Sequence, residues 1–427
     1  MPFPDTQDYL ARRVGVIADD LTGACDSGIE FLPWAPSVLV QVSPDSPEPA
    51  AGDRDIIVHN TQSRNLSSQD AYDTVFRTTR RVISSGAAVI FKKVDSALRG
   101  NFGAEIAPVM DATSAAVAFI LPAIPEAGRQ TIGGVQHIDG VPIAKTFYAR
   151  EFEHPVCESS VLRRAESGSE RKAGLIPLAD VRAGRTAETA AKLQQSGCQL
   201  IVVDAETAED LHDAVAALAG EPSHNLFVGC QGLAKALVAH FGSSKEHQAD
   251  FERLAGPMLC VCGTFHPQSR RQLQAAAESG AIVRLEVNAD DMAGGRRTER
   301  WFNNLVQCFA RNLREGKHVA VCLSCQAERF SPELCERAIG FLAEVSRRAL
   351  QSARVSALFL TGGETAYSVC QALGVHTMKL HARIAPLVVA SRVVVGPCEG
   401  MVIITKGGSI GPDDLLCTIC GSHSKET

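Results

Sequence analysis

The chain is 427 residues long and carries 42 Lys/Arg against 48 Asp/Glu, a formal net charge of −6 with both signs spread along its length. Chains above roughly 250–300 residues divide into more than one core, so two domains are expected, and the lack of any long Lys/Arg run excludes a nucleic-acid footprint. No apolar run reaches the ~18 residues of a membrane span, and the polar, proline-bearing start from Met1 to Asp8 predicts no secretory signal.

The 14 cysteines are accordingly read as thiols of a reducing, cytoplasmic compartment. Two CxxC pairs, Cys322/Cys325 and Cys417/Cys420, have the spacing of a thiolate zinc site. Cys322 falls inside the strand pattern HVAVCLSC, however, where neighbouring side chains point to opposite faces, so small buried hydrophobes are expected instead.

A strand pattern, a small-residue loop and a helical pattern recur along the chain, which argues for parallel sheets covered by helices. In such sheets ligands bind beyond the carboxyl ends of the strands, so the loops after strands carry the functional weight. Asp19 and Asp20 close the first strand, RRVGVIA, and Thr22-Gly23-Ala24 open a helix. One of these carboxylates can accept a hydroxyl proton or hold a sugar hydroxyl while the other orients a cation. The plainer reading is an N-cap at Asp20 with Asp26 on the surface.

DIIVHN leads into Thr61-Gln62-Ser63-Arg64, which sets a guanidinium at a strand end. AAVIFKK then runs into Lys93-Val94-Asp95-Ser96-Ala97-Leu98-Arg99-Gly100-Asn101, with a cation, a carboxylate, a hydroxyl and a guanidinium close together. Arg99 can clamp a carboxylate through paired hydrogen bonds, Asp95 can accept from sugar hydroxyls, and Asn101 can cap the next helix. AAVAFIL is followed by a proline-stiffened loop with Arg129 at its tip. Arginines on three such loops imply an anionic substrate, a carboxylate.

Further on, QLIVVD and NLFVG predict strands, and AAKLQQSG, HDAVAALAG and GLAKALVAHFG predict helices. The basic clusters Arg163-Arg164 and Arg171-Lys172 are read as a solvated loop. GSSKEHQAD, over 242–250, is the most polar break in the middle third and divides the chain into domains 1–250 and 256–427.

In the second half the strand-end loops turn from charged side chains to glycine. PMLCVC leads to Gly263-Thr264 and a helix opened by Pro267, SALFL to Thr361-Gly362-Gly363-Glu364-Thr365, and MVIIT to Lys406-Gly407-Gly408-Ser409-Ile410-Gly411, with Pro412 and two aspartates opening a helix. Glycines let backbone N–H groups approach a phosphate, and a helix N-terminus adds positive potential, so the three loops predict a nucleotide-phosphate cradle. Neither GxxxxGK[ST] nor GxGxxG occurs, which excludes a P-loop ATPase and a standard dinucleotide-binding domain.

The segments ADDLTGACDSG, KKVDSALRGN, LPAIPEAGRQTIGG, GLAKAL, TGGETA and KGGSIGPDDLL resemble, in order and over nearly the whole chain, the four-carbon acid sugar kinase family. The resemblance implies an α/β fold of two domains, each a mostly parallel sheet flanked by helices, with the active site in the interdomain cleft. The first domain would bind a sugar acid and the second a nucleotide. The implied reaction is ATP- and Mg²⁺-dependent phosphorylation of the terminal (C4) hydroxyl of a four-carbon acid, D-threonate or D-erythronate before 3-oxo-tetronate. A homodimer is the candidate assembly.

The family's substrate positions fall on Asp20, Arg64 and the stretch Lys93, Val94, Asp95, Ser96. Its ATP positions fall on Thr264, on Gly362, Gly363, Glu364 and Thr365, and on Gly407 and Gly408. Arg99 and Arg129 join the substrate set and Gly263 the nucleotide set from the residues themselves, with Asp20 or Asp19 as catalytic carboxylate and the magnesium ligands left open. The chain departs from the family at Thr264, Cys25 and Ile410, where a serine, an Asn or Ser, and an aromatic are common. DLTGACD is also similar to the anion-hole motif of ribokinase-like kinases, but it lies at the wrong end of the chain. The rival of another class is a non-catalytic sugar-acid sensor, which would need the anionic pocket but not the glycine cradles. A thiol hydrolase built on Cys25 lacks a histidine partner other than His59.

Overall fold

The structure, a computed structural model, describes residues 14–52, 54–151, 155–219, 225–241, 251, 254–289, 299–324 and 331–421. The segment 242–250, the stretch from Met1 to Asp8 and Cys325 lie outside the described residues. The chain forms two compact units, Met1–His247 and Gln248–Thr427. Among the described residues no helix is long and apolar enough to cross a membrane.

In the first unit the strands are β1 (Val14–Ala18), β2 (Val38–Gln41), β3 (Ile56–Asn60), β4 (Val89–Lys93), β5 (Val117–Leu121), β6 (Arg129–Ile132), β7 (Val135–Ile138), β8 (Val141–Pro142), β9 (Lys172–Ile176), β10 (Cys198–Val203) and β11 (Asn225–Gly229). Eight of them form one sheet in the order β2-β3-β1-β4-β11-β5-β10-β9, every pairing parallel. Continuous apolar runs such as VGVIA and VAFIL are buried at every position, as a sheet covered on both faces requires. From β1 the chain skips one place to β2, returns to β3 between them, then crosses to β4 on the other side of β1. The sheet therefore reverses its order of build at β1, and the crevice at this switch point lies beyond the ends of β1 and β4. The remaining strands, β6, β7 and β8, form a small antiparallel sheet.

The second unit holds β12 (Met258–Cys262), β13 (Val283–Asn288), β14 (Val319–Ser324), β15 (Ala357–Thr361), β16 (Thr377–Ala385), β17 (Val388–Val395) and β18 (Val402–Lys406). Their order runs β13-β14-β12-β15-β18-β17-β16, parallel through β18 and antiparallel for β17 and β16. Here the switch point lies at β12, between β14 and β15. Cys322 sits buried in β14, and Cys417 is buried in the short helix Leu415–Ile419.

The expected mixed α/β architecture with mostly parallel sheets is present in each unit. Three local expectations are corrected. Arg163 and Arg164 belong to the helix Val161–Glu166, and Arg171 pairs with Asp111 while Lys172 begins β9, so these residues are not one solvated loop. Arg129 opens β6 and is buried, not exposed at a loop tip. Asn101 precedes the helix Phe102–Thr113 without a capping bond. Its amide donates instead to the carbonyls of Ser63 (3.1 Å) and Leu66 (2.8 Å), tying the two strand-end loops together.

Candidate functional site

At the switch point of the first unit, extended backbone at Asp20 lets its carboxylate cap the helix Leu21–Gly28, with Oδ1 accepting from the Gly23 N–H at 3.1 Å. The Thr22 hydroxyl donates to Oδ2 at 2.6 Å. Arg64, from the loop after β3, donates from Nε (2.8 Å) and Nη2 (2.7 Å) to Asp19 Oδ2, and from Nη2 to Asp20 Oδ1 (2.7 Å). Lys93, at the end of β4, places Nζ 2.8 Å from Asp19 Oδ1 and 2.8 Å from Asp20 Oδ1. The ammonium lies against Gly23, and any Cβ there would overlap it.

All four charged groups are buried. Burial alone would raise the Asp20 carboxyl, but the adjacent Arg64 and Lys93 charges hold it well below the usual carboxylate range. Burial opposes the Lys93 charge in turn, and the Asp19 and Asp20 carboxylates outweigh it and raise the ammonium above its ordinary value.

The loop after β4 forms a second knot of charge. Arg99 closes a fork on Asp95, Nε to Oδ2 at 2.8 Å and Nη2 to Oδ1 at 3.0 Å, while its own N–H donates to Oδ2 at 3.0 Å. Its Nη1 reaches Glu151 Oε1 at 3.1 Å, and the guanidinium lies 5.2 Å from the Tyr148 ring centroid. Arg129 donates to the Ser96 hydroxyl and, at 3.1 Å, to the Tyr148 hydroxyl. Val94 is buried with its N–H given to Gly229 O (3.0 Å) and its carbonyl accepting from the Cys230 thiol (3.1 Å), so it anchors the loop to the end of β11. The Arg99 side chain is 22% exposed against 8% for Arg64, which makes Arg99 the more accessible of the two.

All the charged residues singled out in the first half thus meet in one unit. Their partners were not legible: the two leading guanidiniums bond protein carboxylates, and Tyr148 and Glu151 join them from a segment without a motif. Asp26 is half-buried beside the cluster and not a free surface residue.

In the second unit the three glycine loops follow β12, β15 and β18, neighbours at the second switch point. Gly362 has φ 97°, a conformation that suits glycine, and precedes the helix Gly363–Ala372, whose first turn holds Glu364 and Thr365. Gly263 abuts the Thr365 hydroxyl, and a Cβ on Gly408 would lie 2.6 Å from Thr264 Oγ1. Lys406, given no role of its own in the sequence reading, ends β18 fully buried, with Nζ donating to Ser269 Oγ (3.1 Å), Gly407 O (3.0 Å) and Ile410 O (3.1 Å). These acceptors are neutral, and burial pulls the ammonium down to about 8. Its signal was a lysine ending an otherwise apolar strand. Closely packed glycines, two helix N-termini and a buried cation without a carboxylate partner among the described residues fit the phosphates of a nucleotide.

Two family models match the chain: a sugar-binding N-terminal domain over residues 14–237 and a nucleotide-binding C-terminal domain over residues 259–416. A D-threonate kinase of Salmonella typhimurium is 30% identical, with 94% of this chain and 96% of that protein covered. The chain belongs to the four-carbon acid sugar kinase family. Other members of the family are similar over comparable lengths. A D-erythronate kinase of Heliobacterium modesticaldum is 29% identical (95% and 96% covered), and a 3-oxo-tetronate kinase of Pseudomonas savastanoi is 26% identical (94% and 95% covered). The fold is shared with solved structures from Salmonella typhimurium, at TM-score 0.75 and 20% identity (95% and 98% covered), and Haemophilus influenzae, at 0.68 and 22% (95% and 99% covered).

Proposed function

We propose that this protein transfers the γ-phosphoryl group of ATP to the terminal hydroxyl of D-threonate or D-erythronate. The observation that carries the reading is the contrast between the two switch points, one lined by ionic side chains and the other by glycine backbone over a buried lysine. Kinases of these two acids are 27–30% identical to the chain, against 24–26% for 3-oxo-tetronate kinases, which supports the order of preference. Magnesium accompanies the nucleotide as a phosphate-bound ion, and together they supply the transferable group and neutralise its charge. The proposed setting is the cytoplasm, where ATP is available.

In this reading Asp20, Arg64 and the Lys93–Ser96 stretch hold the acid's hydroxyl end, and Arg99 receives its carboxylate where Glu151 now bonds. Gly263, Thr264, Gly362, Gly363, Glu364, Thr365, Gly407 and Gly408 enclose the phosphates. Catalysis then rests on alignment and charge stabilisation.

The test is ATP consumption over C4 and C5 aldonic acids with the corresponding alditols as controls. The acids are expected to turn over and the alditols to be strongly disfavoured. Arg99→Lys keeps the charge but loses the fork, so it should raise the acid KM about tenfold or more and narrow the preference over the alditol. Equal activity on acid and alditol would leave a kinase of small polyols instead. A sensor would give no turnover and no thermal protection by ATP.

A second expectation concerns Lys406. Its ammonium favours a bound polyanion only while protonated, so nucleotide affinity should fall severalfold as pH rises from 7 to 9, through its value of about 8. Calorimetric ADP titrations at the two pH values measure this, and Lys406→Met should abolish the difference. Equal wild-type affinities would remove that charge from nucleotide binding.

A further inference from the structure

Asp19, Asp20 and Asp95 are each engaged by a cation within 2.8 Å. Glu151 bonds Arg99 and Glu105 bonds Lys92. The adjacent cations hold the Asp20 and Asp95 carboxyls below the usual carboxylate range, so these two accept a proton poorly, while oxygens of Asp19, Glu151 and Glu105 are occupied by hydrogen bonds from cations. That leaves the base of the proposed reaction unassigned.

The helix Leu21–Gly28 supplies another carboxylate. Thr22, Gly23, Ala24, Cys25, Ser27 and Gly28 are all buried, and Asp26 alone in this helix is half-exposed. Gly23 packs against the Lys93 ammonium and Asp20 Oδ1, and residues three apart on a helix share a face, so Asp26 lies one turn along from that contact. Its side chain accepts from the Ser27 hydroxyl at 2.9 Å and makes no ion pair among the described residues. We propose that Asp26 is the general base of the phosphoryl transfer, taking the proton of the attacking sugar-acid hydroxyl beside Lys93.

The proposal rests on the kinase reading above. As the hydroxyl oxygen forms its bond to the γ-phosphorus, the bond to the bridging oxygen breaks and its electron pair leaves on ADP. The hydroxyl proton passes to Asp26 and from there to water. Around Asp26 stand Asp20 on its own element, Lys93 on β4, Arg129 on β6 and Cys230 after β11. Glu30, bonded to Gln231, and His59, bonded to Gln41, lie on elements packed against the helix. Among these, burial pushes the Asp26 carboxyl up to about 7 against the pull of Lys93. A base with that value is matched to neutral pH.

The experiment is a pH profile of kcat and kcat/KM from pH 5.5 to 9 on the best aldonic acid, for wild type, Asp26→Asn and Asp26→Glu. The wild-type rate should climb with pH through about 7. Asp26→Asn should lose this limb and lower kcat about 100-fold or more with little change in either KM. Asp26→Glu, which restores a carboxylate, should regain part of the rate. A folded Asp26→Asn enzyme that keeps the limb and stays within about threefold of wild-type kcat overturns the base while leaving the kinase reading intact. A wild type that turns over no aldonic acid overturns both.

Discussion

Replacing Asp20 by Asn is expected to destabilise the first unit by about 3–5 kcal/mol, because it leaves buried cations without one of their carboxylates. Asn keeps the shape and an oxygen for the Gly23 N–H, so the cap survives and the loss reports the charge. Arg64 and Lys93, each 2.7–2.8 Å from Asp20 Oδ1, would then share Asp19, with Asp95 a more distant partner of Arg64 at 3.5 Å. Urea unfolding monitored at matched pH measures the change. Adding Lys93→Met to Asp20→Asn should recover part of it, since the excess cation goes too. The Asp20 carboxyl is depressed in the folded state, so its contribution is fully present above the unfolded value near 3.9 and is lost as pH falls below it. A single-variant loss under about 1 kcal/mol would mean that water or a shifted side chain compensates the buried charges.

In the second unit Gly408→Val should raise the ATP KM far more than the KM for the acid. The new Cβ would sit 2.6 Å from Thr264 Oγ1 and 3.2 Å from Thr264 Cγ2, so the loop or Thr264 must move. Overpacking of this kind costs about 1–3 kcal/mol, equivalent to roughly 5- to 150-fold in an equilibrium constant. Steady-state kinetics with each substrate varied in turn separates the two constants. A rise confined to the acid KM would exchange the roles proposed for the two units.

The strands that run unbroken through apolar residues were legible because a parallel sheet covered on both faces demands such runs. VGVIA, VIFKK, VAFIL, MLCVC, ALFLT and VIITK all form strands close to where their pattern places them. The antiparallel pair β16 and β17 carries charged or polar residues among its apolar ones, Lys379 and His381 in TMKLHARIA and Arg392 in VVASRVVV, and the runs are broken. The small sheet around Arg129 was missed because its strands are at most four residues long.

The site was half legible for a similar reason. Polar residues after buried strands stand out, but sequence does not say which of them bond one another. Arg99 looked like a clamp for a ligand, and its fork is closed on Asp95, four residues away. Asp26 looked like surface because it lies mid-helix. The signal against that was its neighbours, since LTGACDSG holds no other charged side chain and the helix is otherwise buried.

In the proposed reading, the pairing of Arg64, Lys93 and Arg99 with Asp19, Asp20, Asp95 and Glu151 changes what substrate recognition has to accomplish. An anion arriving here meets cations that already have partners, so binding is an exchange of one carboxylate for another. Affinity is then a difference between two similar attachments, and should be modest and only weakly sensitive to ionic strength. The gain lies elsewhere: cations held in register before the substrate comes need no reorganisation, and a phosphorylated product can be let go as the protein's own carboxylates return.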